Sequence, residues 1–81
     1  MGKVATVFKV YIESGKEAEV SKEIKDKLKP NGFQMEEVAF GIKVLKVMFV
    51  HEDEEGSTAY ENNLRKIKDV TEVEIEGESL L

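Results

Sequence analysis

Residues 42–51 read IKVLKVMFVH and residues 3–12 read KVATVFKVYI. In both, apolar residues recur with a period of two and most are β-branched or aromatic, the pattern of a strand with one face in a core. In the first stretch Leu45, Val47 and Phe49 point one way, while Val44, Lys46, Met48 and Val50 point the other. In the second, Val4, Thr6, Phe8, Val10 and Ile12 oppose Lys3, Ala5, Val7, Lys9 and Tyr11. These are the two most apolar strands of the chain and belong at the centre of a sheet.

The rest follows outward from them. Ser14-Gly15-Lys16-Glu17 has the spacing of a capping box, a hydroxyl followed three residues later by a carboxylate. Val20, Ile24 and Leu28 then recur at i, i+4 and i+8 beside Ala18, predicting a helix of about three turns closed by Pro30 and Asn31-Gly32. Residues 33–38 form a weaker strand, and Ala39-Phe40-Gly41 a tight connection into residue 42. Glu52 to Gly56 is an acidic loop. Tyr60, Leu64 and Ile67 mark a second helix from Ser57 to about Lys68. In residues 70–76, Val73 and Ile75 point inward and Glu72, Glu74 and Glu76 outward. The order is β-α-β-β-α-β, and two helices cover only one face of a four-stranded antiparallel sheet. The expected fold is therefore an α+β ferredoxin-like sandwich, with the first and third strands central because β-α-β crossovers are right-handed.

Eighty-one residues are expected to make a single domain over 1–81 with one thin core. Twelve Lys and Arg against seventeen Asp and Glu give a net charge of −5, which argues against direct nucleic-acid binding, where phosphates demand a basic face. The absence of cysteine removes disulfide, thiol-redox and zinc-finger chemistry. No apolar run approaches the roughly 20 residues of a membrane span, and the first residues lack a signal peptide's apolar core, so the expected location is the cytoplasm.

The residues give little chemistry. The six glycines form no GxGxxG or GxxxxGK loop. His51, the single histidine, opens the run His51-Glu52-Asp53-Glu54-Glu55, which reads either as a metal or pH-sensing cluster or as a solvated acidic loop. Arg65, the single arginine, lies in a helix rather than a phosphate loop. No nucleophile–base pair can be assembled, so the chain is not expected to be an enzyme. The sheet's open face should carry Ala5, Val7, Tyr11, Val44 and Met48, rimmed by Glu72, Glu74 and Glu76 and offset by Lys3, Lys9 and Lys46. That is either a contact surface or the apolar surplus of a small domain. A regulatory or dimerisation module pairing through this face is the alternative reading of the sequence.

Val38-Ala39-Phe40-Gly41-Ile42-Lys43-Val44-Leu45-Lys46-Val47 resembles the translation elongation factor 1-beta family in its short archaeal form. The likeness continues through residues 51–58 and ends at Val70-Thr71-Glu72-Val73-Glu74-Ile75. The resemblance implies a guanine nucleotide exchange factor that binds the elongation factor 1-alpha GTPase in its GDP-bound and nucleotide-free forms, holding no nucleotide, cofactor or metal itself, and monomeric when alone. It implies partner contacts at Phe40, Gly41 and Ile42, Phe40 being either a contact aromatic or a buried turn residue. It also implies contacts at the C-terminus, where eukaryotic members carry a penultimate lysine that reaches the magnesium site. This chain has Leu80 and Leu81 there. They act sterically, or leave the role to another group or to switch displacement; the plainest alternative is a frayed tail.

Overall fold

The computed structural model describes residues 2–37, 42–53 and 56–81. The two apolar stretches pair antiparallel as β1 (Lys3–Ile12) and β3 (Lys43–Glu52), with Val4 opposite His51 and Tyr11 opposite Val44. β2 (Gly32–Glu37) lines the outer edge of β3, and β4 (Val70–Leu80) that of β1, giving the sheet order β2-β3-β1-β4. Helix α1 (Glu17–Leu28) connects β1 to β2, and α2 (Thr58–Arg65) connects β3 to β4. This is the ferredoxin-like arrangement read from the sequence.

Phe8, Val10 and Ile12 of β1, Leu45, Val47 and Phe49 of β3, and Val73 of β4 meet Val20 and Ile24 of α1 and Leu64 of α2 in one cluster. The strand members all lie on one side of the sheet, so both helices cover that side. Burying each such side chain is worth about 1.5–3 kcal/mol. Phe49 sits between an edge-on contact with Phe8 (6.0 Å between centroids) and a stacked one with Tyr60 (4.8 Å).

Several local expectations need correction. Ser14 does not cap α1: the N-cap is Lys16, and the Glu17 carboxylate accepts the Gly15 N–H at 3.1 Å. Lys29 closes the helix in the left-handed region (φ 49°), its N–H reaching the Ile24 carbonyl. Asn31 then works for the sheet. Its N–H donates to the Met48 carbonyl and its Oδ1 accepts the Val50 N–H, continuing the edge of β3 beyond the end of β2. A Cβ on Gly32 would lie 3.2 Å from Met48 Cβ and Cε, so a side chain there would require Met48 to give by a few tenths of an ångström.

The open face is less apolar than its sequence implied. Val44 is 1% exposed, a short side chain flanked by Tyr11 on β1 and Glu36 on β2. Ala5 is likewise sunk between Val50 and Ser79. Across the middle runs a ladder of charge: Lys46 Nζ lies 3.1 Å from Glu36 and 3.0 Å from Glu76, and Glu76 also meets Lys9 at 4.0 Å. Glu72 leaves this face and turns to Arg65 on α2, at 2.9 Å.

Candidate partner interface

Of the residues expected to meet a partner, Phe40 and Gly41 lie outside the described residues. Ile42, just before β3, is 53% exposed. At the other terminus, Leu80 and Leu81 are 78% and 72% exposed. They are not a frayed tail. Leu80 stands opposite Val4, and the Leu81 N–H donates to the Lys3 carbonyl at 2.9 Å, so β4 stays zipped to β1 to the end. The expected strand end at residue 76 is thus four residues short.

The two candidate sets do not converge. Ile42 lies beside the Tyr11–Val44 row, whereas Leu80 belongs to the Val4–His51 row. Seven steps along β1 separate these rows, about 23 Å at ~3.3 Å per residue. Ile42 and Leu80 therefore lie at opposite ends of the sheet.

Three features near β4 were missed by the sequence reading. The ladder slips between Val7 and Phe8: Ile75 faces Phe8 and Gly77 faces Val7, leaving Glu76 as the extra residue of a bulge. Beneath the tail, His51 turns inward and joins Thr6, their Nε2 and Oγ1 atoms 2.8 Å apart, while Nδ1 lies 2.9 Å from the Glu52 carbonyl. A carbonyl only accepts, so Nδ1 carries a proton, and in the neutral ring the Thr6 hydroxyl is then the donor to Nε2. Both ring nitrogens are engaged within the core, and among the described residues no group of three His, Asp or Glu could hold a metal ion. Finally, Arg65 donates to the Val73 carbonyl and to Glu72, whose carboxylate accepts the Val73 N–H. Val73's two outward main-chain groups are thereby occupied, closing that part of an exposed sheet edge. The hydrogen bond from Val73 N–H, then Arg65, holds the Glu72 carboxyl below the usual carboxylate range.

The sheet thus carries exposed apolar residues at both ends. Comparison with known proteins supplies the family. The model of the EF-1 guanine nucleotide exchange domain matches residues 6–81. Elongation factor 1-beta of Aeropyrum pernix is 41% identical over 88 residues, covering 98% of this chain and 97% of that protein. Elongation factor 1-beta of Halobacterium salinarum is 37% identical over 83 residues, 94% of each. No solved structure matches the chain significantly. The chain belongs to the elongation factor 1-beta family. Its function is guanine nucleotide exchange on elongation factor 1-alpha. No helix among the described residues is long and apolar enough to cross a membrane.

Proposed function

We propose that the chain works as a single monomeric domain in the cytoplasm, engaging elongation factor 1-alpha in its GDP-bound and nucleotide-free forms. One end of the sheet offers Leu80 and Leu81, the other Ile42; Phe40 and Gly41, outside the described residues, join the proposed contact through the family resemblance alone. No bond is made or broken. Exchange is the release of one nucleotide and entry of another, and acceleration requires tighter binding to the empty GTPase than to its GDP complex, a coupling that is reciprocal by linkage.

The observation that carries this reading is an apolar tail that is both exposed and held. Leu80 and Leu81 project from a strand hydrogen-bonded to its last residue, so the docking side chains are ordered before contact. Preorganisation spares the ordering entropy that a loose tail would lose on binding. Leucine cannot imitate a cation, so the tail displaces the GTPase's nucleotide-holding elements sterically.

The test loads the cognate GTPase with a fluorescent GDP analogue and follows its release into excess GDP. Substoichiometric chain should accelerate release, and deleting Leu80 and Leu81 should slow it without lowering the melting temperature. No acceleration of an active GTPase would overturn the exchange reading; an unchanged rate after the deletion would assign the contact elsewhere.

A further inference from the structure

β4 changes faces at Glu76. Val73 and Ile75 stand opposite Val10 and Phe8, on the helix-covered side. Glu76 points to the open side, where its carboxylate meets Lys46 at 3.0 Å and Lys9 at 4.0 Å. Glu78, two residues on, accepts a hydrogen bond from Ser57 Oγ at 3.2 Å, and Ser57 is the N-cap of α2 on the helix side. Residues two apart in a regular strand share a face. These two glutamates do not, because Gly77 pairs with Val7 one position late. The phase is reversed from there to the end: Glu78 and Leu80 fall opposite Thr6 and Val4 on the helix side. In an unbroken ladder Leu80 would emerge on the open face instead.

We propose that the Glu76 bulge is the device that aims the C-terminal tail at the GTPase, with Glu76, Lys46 and Lys9 as positioning residues. The inference rests on the tail being a contact, as argued above. Bulges re-aim side chains, and they also relieve twist or blunt an edge. Here Leu80 and Leu81 both follow Glu76, so reversal of their facing is a direct consequence of the bulge. Lys46 belongs to β3, two strands from Glu76, and is itself held by Glu36 at 3.1 Å. The aim of an edge-strand tail is thus tied across the whole open face. The same lysine's ammonium is stabilised in its charged form, chiefly by Glu76 and then by Glu36.

A parity experiment tests this. One serine inserted between Glu78 and Ser79 lengthens the tail and turns Leu80 and Leu81 to the opposite faces. Inserting Ser-Thr at the same place lengthens it further and restores the facing. Both changes lie beyond the core residues of β4, and a melting temperature near that of the native chain verifies the fold. The maximal exchange rate should fall with the single insertion, by up to roughly 10²-fold for a misplaced contact group, and recover most of the loss with the double one. Contacts between the Leu80 methyls and the Val4 side chain, read by nuclear Overhauser effects, should vanish with either insertion, and with Ser-Thr the inserted threonine should take the place opposite Val4. Glu76→Ala, which leaves the chain length intact, should lower the maximal rate more than it raises the half-saturating concentration. A rate that declines steadily with tail length, or ignores the insertions while the Leu80–Leu81 deletion is slow, overturns the aiming role alone. A deletion without effect overturns the tail contact and the aim together.

Discussion

Thr6 and His51 are the polar side chains that the core takes in among the described residues. Thr6 sits on an otherwise apolar strand face, and no periodicity links it to a histidine 45 residues away. The pair is worth keeping only if both partners remain. Thr6→Val preserves shape but strands His51 Nε2 without a donor, and should cost about 1–3 kcal/mol in urea unfolding. Adding His51→Leu removes the stranded acceptor, so the double variant should be more stable than Thr6→Val alone. If the single variant unfolds like the native chain, the hydrogen bond contributes nothing. Glu72 makes a second prediction at this scale. Its folded carboxyl is held below the usual range by the Val73 N–H and then by Arg65, so its contribution is complete above the unfolded carboxylate value and is lost as pH falls through the lower folded one. Glu72→Gln should therefore flatten the acid limb of stability against pH, leaving the curve near neutrality parallel to the native one. An acid limb of unchanged slope would place the titration in other carboxylates.

At the scale of elements, what could be read from the sequence was whatever a single period governs. β1 and β3 bury their alternate residues as expected, since both are central and every second side chain meets a helix. α2 was read three residues too long. Tyr60, Leu64 and Ile67 do reach the core, but Ile67 does so from a turn after the helix, its N–H on the Leu64 carbonyl. Helical spacing cannot distinguish a last turn from the tight turn that follows it. β4 was read four residues too short for the converse reason: its apolar alternation runs through Val73 and Ile75 and resumes, out of phase, at Leu80. A bulge looks like an ending to any rule of period two. The open face was misjudged because alternation assigns a side but not an exposure, and Val44, though on that face, is only 1% exposed. Helix α2, eight residues long, is too short to be stable by propensity and depends on its packing. Leu64 is its one fully buried anchor, so Leu64→Ala should cost about 2–5 kcal/mol in chemical denaturation. A loss below ~1 kcal/mol would mean the helix refills the cavity by sliding on the sheet.

At the scale of the whole molecule, the contacts proposed at the two ends of the sheet lie about 23 Å from row to row, at ~3.3 Å per residue. The molecule measures 41 × 24 × 17 Å, so these ends are separated along a body longer than it is wide. Changes at sites farther apart than about 7–10 Å, with no shared partner, add in free energy. Ile42→Ser and deletion of Leu80 and Leu81 should therefore each weaken exchange, and their fold-losses in catalytic efficiency should multiply in the combined variant. Multiplication requires the sheet to behave as a spacer that transmits no strain, which the ladder through Lys46 and the paired β1–β4 tail favour. A combined loss no larger than the greater single loss would mean that the GTPase engages the ends in sequence, the second forming only after the first. A loss well beyond the product would mean that each end holds the other in place, so that the factor closes on its partner as a clamp.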